Sequence, residues 1–400
     1  MRKEITLQVN DNYIKQLRQG YPLIHKEAVK PIRALPEEGA VVRLVDSNNR
    51  FLARGYYGEQ NKGIGWVLTY HESEQIDSKL FQTKIFTAIN KRQGFFQSED
   101  TNAFRVFNGE GDGVGGLTID YFAGYYLINW YSQGIYSFKN DVLQALDVLG
   151  NYHAIYEKKR FHTKGKYLED DDFVKGERGE FPIIVKENGI HFAVYLNDGA
   201  MTGIFLDQRD VRKVIRDTYA KGKDVLNTFS YTGAFSVAAA LGGAEQTTSV
   251  DLAKRSKPRT IEQFSVNGID FDQHKIVIMD VFDYFKYARR KQLQYDLVIV
   301  DPPSFARSKK RTFSAAKDYP ALLTDVISIT RNHGIIVAST NNASFGMKKF
   351  KGFIKQACQK MHVTYKILQQ FQLPSDFQTN EQFIQSDYLK VCIIQIQQNK

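Results

Sequence analysis

Residues 223–251, KDVLNTFSYTGAFSVAAALGGAEQTTSVD, decide how the rest of the chain is read. Val225 and Leu226 open the stretch as a short apolar run with the character of a buried strand. A polar turn over 227–233 follows, then an Ala-rich helix that stops at Gly242-Gly243, then a second run, 247–250, ending on Asp251. Strand, helix and strand in this order make the first half of a nucleotide-binding α/β unit. The ligand of such a unit lies over the first turn, and the acid after the second strand takes the ribose hydroxyls.

Downstream the alternation continues. Helices are expected at 259–267, 281–290, 319–330 and 348–361, and strands at 275–279, 295–300, 334–339, 363–371 and 388–395. The strands end in turn on Asp280, on Asp301-Pro302-Pro303-Ser304-Phe305 and on Thr340-Asn341-Asn342. Polar residues at the carboxyl ends of successive strands are the mark of an open α/β sheet that binds ligands there. The fold class expected is α/β, with a Rossmann-like, doubly wound sheet in the C-terminal half.

The first turn selects the cofactor. A dinucleotide site would carry G-x-G-x-x-G, so that the backbone can approach a pyrophosphate, whereas 227–235 holds only Gly233. S-adenosylmethionine has no phosphate and tolerates bulkier residues in this loop. Its adenosine still needs an acid for the ribose, Asp251, and a polar side chain at the adenine, Asp280. Two successive prolines after a buried strand cannot extend a sheet and hold the chain away from it. Asp301 and Pro302 can then grip a planar amino-bearing base while Phe305 stacks on its face. Arg307, Lys309, Lys310 and Arg311 follow as a basic loop that reads as a phosphate clamp.

Upstream, residues 1–72 read as a small β-rich barrel: a helix at 11–18, then strands at 40–45, 51–57 and 63–70. Residues 73–178 read as an α+β segment with helices at 78–93 and 138–149 and strand character at 121–131. The Gly- and acid-rich stretch 103–120 fits neither an EF-hand nor a P-loop and is expected to be a tight hairpin. The run Lys158, Lys159, Arg160, Lys164 and Lys166, closed by acids at 169–172, reads as a loop or linker. Asp207, Gln208 and Arg209 precede the nucleotide-binding unit, with Asp207 read either as a helix cap or as the near wall of the cofactor pocket.

At 400 residues the chain has room for two or three domains. A formal charge of +10 adds a sequence-independent attraction to phosphate backbones, and on charge alone a nucleic-acid partner and an ordinary mildly basic protein are equal readings. No apolar run reaches the length of a membrane span, and the N-terminus lacks a secretory h-region, so the cytoplasm is expected. Two cysteines, Cys358 and Cys392, provide neither a disulfide framework nor a metal site.

NTFSYTGAFSVAA, LDQRD and DPPSF together resemble the bacterial large-subunit ribosomal-RNA base methyltransferases, and ARGYY and GEGDGVGGLTID extend the likeness over nearly the whole chain. The resemblance implies a PUA domain (1–72), an α+β middle domain (73–178) and a class I methyltransferase domain (179–400). It implies S-adenosylmethionine contacts from Phe205, Asp207, Arg209, Ser230, Tyr231, Thr232, Gly233, Asp251, Asp280 and Asp301, with S-adenosylhomocysteine as product. Ribosomal RNA is the implied partner, no metal is implied, and a homodimer is left open.

One departure bears on the chemistry. The cytosine-C5 branch carries a nucleophilic cysteine after the fifth strand, because C5 becomes nucleophilic only once a thiolate has added at C6. Here that place reads Ser339-Thr340-Asn341-Asn342. The ending, with DPPSF, is closer to the guanine-N7 branch, in which direct transfer to a lone pair needs positioning and no base. Asp301, Pro302, Phe305 and Asn341 are the expected catalytic residues, orienting and stacking the base. Cytosine-C5 transfer, a non-catalytic RNA-binding or assembly role, and methylation of a small molecule are the alternatives.

Overall fold

The computed structural model describes residues 3–30, 37–60, 63–150, 152–161, 172–199, 201–307 and 312–398. Lys309, Lys310 and Arg311 of the expected phosphate clamp, and Lys164 and Lys166 upstream, lie outside the described residues. The chain divides into two compact units, one of residues 1–185, 195–202 and 375–386, the other of 186–194, 203–374 and 387–400.

In the first unit β1 (Glu4–Gln8), α1 (Asp11–Arg18), β2 (Leu23–Ile24), β3 (Val41–Val45), β4 (Phe51–Gln60) and β5 (Gly63–Thr69) build a five-stranded sheet in the order β1-β3-β4-β5-β2. A second sheet follows, made by α2 (Ser78–Asn90), α3 (Gln93–Phe96), β6 (Ala103–Asn108), β7 (Leu117–Phe122), β8 (Tyr125–Trp130), α4 (Gln133–Tyr136), α5 (Lys139–Leu149), β9 (Ala154–Lys159) and β10 (Phe173–Gly176), in the order β10-β9-β8-β7-β6. The Gly-rich stretch is a hairpin connection between antiparallel β6 and β7. Its Asp112 accepts both outer nitrogens of Arg92, at 3.0 and 2.7 Å, in a buried pair. Lys158 and Lys159 are corrected from linker to strand β9, where Lys158 is fully buried and paired with Asp172. A charge run read as a loop or linker thus includes an interior ion pair, which composition does not reveal.

The second unit begins in the hairpin of β11 (Ile183–Glu187) and β12 (Ile190–Val194) and continues through α6 (Arg209–Val214). Then come β13 (Asp224–Thr228), α7 (Ala234–Leu241), β14 (Gln246–Asp251), α8 (Ser256–Ser265), β15 (Lys275–Ile278), α9 (Val281–Arg290) and β16 (Tyr295–Val300). A short antiparallel pair, β17 (Phe305–Arg307) and β18 (Thr312–Ser314), precedes α10 (Ala315–Ser328), β19 (Thr330–Thr340), α11 (Met347–Lys360), β20 (Val363–Phe371) and β21 (Lys390–Gln398). The sheet order is β15-β14-β13-β16-β19-β21-β20, with β21 antiparallel to both neighbours and the others parallel.

Period-two alternation makes this sheet doubly wound. Val225, Leu297, Ile299 and Val337 pack with Val211, Ile215 and Phe235 on one face. Their strand neighbours Leu226, Val298, Val300, Ile336 and Ala338 pack with Phe285, Leu322, Phe350 and Ile354 on the other. The small side chains of α7 bring it close to the sheet, and Ser236 Oγ bridges Asn227 Nδ2 (3.0 Å) and Ser249 Oγ (2.7 Å). Expected elements shift by two to four residues at their ends: α8 starts at Ser256 rather than 259, α10 at Ala315 rather than 319, β19 at Thr330 rather than 334, and β21 runs from Lys390 to Gln398 rather than over 388–395. Pro320 lies inside α10.

Glu187 and Arg212 form a bidentate pair at 2.7 Å on both arms, with both side chains buried, and Arg212 also donates to Phe205 O at 2.7 Å. Removing one partner leaves an uncompensated interior charge. Glu187→Ala is expected to lower the unfolding free energy by about 3–5 kcal/mol. Urea denaturation checks this, and a change below about 1 kcal/mol would contradict it.

Candidate active site

The strand order reverses between β13 and β16, and the carboxyl ends of β14, β13, β16 and β19 finish level with one another: Thr228 pairs with both Val250 and Val300, and Val300 pairs with Ala338. A crevice opens where strands leave such a switch point in opposite directions. It is a cavity of about 350 Å³ whose polar lining includes Asp207, Gln208, Asp251, Asp280, Asp301 and Asn341. Phe229, Leu252, Val281, Phe282 and Phe313 supply apolar wall, and Pro302, Pro303, Ala306 and Arg307 another side.

The first turn is backbone-constrained. Phe229, Tyr231 and Gly233 have φ of 53°, 52° and 79°, a conformation that non-glycine residues hold only when their surroundings enforce it. The enforcement is visible in the hydrogen bonds. Ser230 N donates to Val250 O (3.1 Å), Tyr231 N to Asp251 Oδ2 (2.9 Å), and Gly233 N to Ser230 O (2.7 Å). A Cβ on Gly233 would stand 2.6 Å from Thr260 Cγ2, so this glycine is required by space as well as by φ.

Each acid is held by its own element. Asp251 closes β14 and accepts Tyr231 N with one oxygen and Ala253 N (2.9 Å) with the other. Asp280 caps α9, with Oδ1 accepting Phe282 N (3.0 Å) and Asp283 N (3.3 Å). Asp301 follows β16 and accepts Gln208 Nε2 at 3.0 Å, while the same nitrogen donates to Ser339 Oγ at 2.8 Å. Burial pushes the Asp301 carboxyl up to about 6, with Asp207 adding to the rise and Ser339 and Gln208 opposing it. Asp207 does not cap α6, whose N-terminus has no side-chain cap; its Oδ2 accepts Tyr388 OH at 2.9 Å. Asn341 is exposed at the rim, and its Oδ1 accepts Ser304 Oγ (2.6 Å), linking the loops after β16 and β19.

The structure brings Phe205, Asp207, Asp251, Asp280, Asp301, Pro302, Arg307 and Asn341 to this cavity. Arg209, Ser230, Tyr231, Thr232, Gly233 and Phe305 do not line it. Arg209 is buried in the first turn of α6, its Nε 3.8 Å from Asp210. Tyr231 and Thr232 latch the preceding segment instead: Gly203 N donates to the Tyr231 hydroxyl (2.9 Å), and Thr232 Oγ1 donates to Gly203 O (2.6 Å). Phe205 packs on the Tyr231 ring at 5.4 Å. Phe305 is 63% exposed on β17, outside the cavity.

Sequence reasoning passed over the support for Asp301. Gln208 stood inside the LDQRD motif, and its Oε1 is buried without a hydrogen-bond partner among the described residues. Leu252, Val281 and Phe282 directly follow Asp251 and Asp280, a positional signal that was there to use. Phe313 comes from β18 and carried none.

These residues suit S-adenosylmethionine. Among the described residues, four lining carboxylates stand against one lining cation, Arg307, a balance that favours hydroxyl, amino and positively charged groups over a diphosphate. Asp251 retains acceptor capacity for a ribose, and Asp280 stands at an apolar wall suited to an adenine. No group of three or more metal-ligating side chains occurs among the described residues.

Comparison with known proteins agrees with the geometry. Residues 105–381 match the profile of the S-adenosylmethionine-dependent methyltransferase family, and residues 7–70 match that of a PUA-like domain. A Bacillus subtilis (strain 168) protein named "Putative ribosomal RNA large subunit methyltransferase YwbD" is 62% identical over 382 residues, covering 95% of this chain and 96% of that one. "Ribosomal RNA large subunit methyltransferase I" of Aeromonas salmonicida (strain A449) is 27% identical, also over 95% and 96%. The crystal structure of SMU.776, "a putative methyltransferase complexed with SAH", is 40% identical and superimposes with a TM-score of 0.89, covering 98% of this chain and 100% of that one. With the cavity at the switch point of its parallel sheet and a family match over more than half its length, the chain belongs to the S-adenosylmethionine-dependent methyltransferases and carries a PUA-like domain ahead of the catalytic fold.

Proposed function

We propose that this enzyme methylates a base nitrogen of large-subunit ribosomal RNA, guanine N7 first among them, by direct transfer without a protein thiol. The RNA class is supported by the relatives' names, the PUA-like domain and the +10 charge. The base chemistry is supported by one observation, the absence of any cysteine from the cavity lining. Cys358 (on α11) and Cys392 (on β21) are both buried, and burial pushes each thiol up to about 11. At neutral pH almost no thiolate is present on either. S-adenosylmethionine supplies, when bound, an electrophilic methyl group whose transfer to a nitrogen lone pair needs no covalent activation of the base.

On this reading Asp251 takes the ribose, Asp280 the adenine edge, and Asp301 with Pro302 and Asn341 orients the base. Phe305, exposed beside the cavity wall, is the stacking platform, and Arg307 is the described member of the phosphate clamp. The division into 1–72, 73–178 and 179–400 then corresponds to RNA-binding, middle and transferase parts, with the cytoplasm as the place of action and light scattering deciding between one copy and a homodimer. No helix among the described residues is long and apolar enough to cross a membrane.

A variant free of cysteine, Cys358→Ala with Cys392→Ala, is expected to keep turnover on unmodified rRNA within about 3-fold of the parent, since no bond to sulfur is made. Complete loss of transfer in a variant that still binds cofactor would overturn the thiol-free reading.

A further inference from the structure

Between Asp325 and Asp376 the chain has no aspartate or glutamate, and α11 alone holds five lysines. Lys348, Lys351 and Lys355 recur at i, i+3 and i+7, which on an α-helix forms one stripe about 10 Å long. Phe350, Ile354, Ala357 and Cys358 are the buried side of the helix; Lys348 and Lys355 are exposed, and Lys351 is half-buried at the border between the two. None of the three stripe lysines has an ion-pair partner among the described residues, whereas Lys286, Arg289 and Arg331 of the same unit each sit 2.5–3.0 Å from a carboxylate. Lys348 and Lys349 also stand in the first turn, the positive end of the helix dipole, with no acid beside them. A local rule broken without local compensation indicates a role outside the fold.

The helix is tied to the cavity rim. It begins six residues after Asn341, Lys390 Nζ donates to Asn342 O at 2.8 Å, and the Phe345 ring packs on Phe353 at 5.2 Å with Lys349 Nζ 5.8 Å from it. No large apolar side chain of α11 is exposed, which disfavours both a lipid surface and an apolar protein groove. Unpaired point charges along a polar stripe fit a phosphate backbone.

We propose that the Lys348–Lys351–Lys355 face of α11 is the docking surface for the phosphate backbone of the substrate RNA beside the target base. The proposal rests on the RNA reading above. The stripe adds affinity that is independent of sequence and sets the strand against the rim that carries Asn341. It leaves the cofactor pocket untouched.

The test is binding and methylation of unmodified large-subunit rRNA at several salt concentrations, with cofactor affinity measured alongside as the check on folding. Lys348→Glu/Lys351→Glu/Lys355→Glu is compared with the parent and with an equal charge change on α9 and the residue that follows it, Lys286→Glu/Arg290→Glu/Lys291→Glu. The stripe variant is expected to raise the Kd and KM for RNA about 10-fold or more and to make the log K against log salt slope shallower by about 2, with kcat at saturating RNA retained. A stripe variant that binds RNA like the parent, or no more weakly than the α9 variant, overturns the docking surface while leaving RNA as substrate. A parent that neither binds nor methylates the RNA overturns the substrate reading and the docking surface with it. Should the triple Glu variant lose cofactor binding, the triple Gln variant at the same positions is judged by the same two criteria.

Discussion

Asp301→Ala is expected to lower turnover on rRNA by about 100-fold or more while shifting cofactor affinity by no more than about 3-fold. Asp301 is the carboxylate that Gln208 and Ser339 fix in place, and it borders the same cavity as Pro302 and Asn341. Without it the base loses an acceptor at the rim, and a misplacement of one ångström suffices for such a loss. Single-turnover rates together with calorimetry of cofactor binding separate the two effects. Equal losses in both would show that Asp301 is chiefly a cofactor ligand.

The same group sets a pH dependence. Asp301 accepts with full strength only when ionised, and its carboxyl is pushed up from 3.8 to about 6. Turnover should therefore rise through pH 6 and level off above it, and this acid limb should disappear in Asp301→Asn. Stability runs the opposite way. A folded-state value above the unfolded one gives a contribution that is full below pH 4 and lost as pH rises through 6. Asp301→Asn is accordingly expected to raise the melting temperature at pH 8 and to leave it nearly unchanged at pH 4, trading activity for stability.

The second large effect falls on the cofactor. Asp251→Ala is expected to weaken S-adenosylmethionine binding by about 100-fold or more, with kcat at saturating cofactor within a few-fold of the parent. Charge-assisted hydrogen bonds of about 1.5–3 kcal/mol each account for that size. The alanine also releases Tyr231 N and Ala253 N, so the left-handed turn at Phe229, Tyr231 and Gly233 loses one of its anchors. Isothermal calorimetry measures the change, and an unaltered Kd would remove Asp251 from the cofactor site.

Much of the sheet of the second unit was legible because most of its parallel strands carry a short apolar run that ends on a polar residue, as at Asp280, Asp301 and Thr340-Asn341. The 223–251 stretch folds as strand, turn, helix and strand in the order read, and α9 occupies Val281–Arg290 with Asp280 as its cap. Lys158 was misread because a buried lysine paired with Asp172 looks, in sequence, like any surface charge run. The extra turn at the start of α10 escaped because the burial of Ala315, which anchors it, is a tertiary contact.

For the site, acids at strand ends were readable because a parallel sheet places them on one edge. What escaped is contact across the fold. The bond from Gln208 to Asp301 spans 93 residues, that from Tyr388 to Asp207 spans 181, and neither has a sequence signature. Phe305 illustrates the converse. The motif suggested a ring inside the site, and pairing with Ser314 in a short hairpin leaves it facing outward.

The central claim, direct methylation of a base nitrogen, is tested most directly by transferring isotope-labelled methyl from S-adenosylmethionine to unmodified large-subunit rRNA and identifying the labelled nucleoside by mass analysis. The expected product is a nucleoside methylated on a base nitrogen, 7-methylguanosine foremost, formed equally well by the cysteine-free variant. Labelled 5-methylcytidine, persisting in that variant, would contradict both the nitrogen target and the argument from the absent thiol.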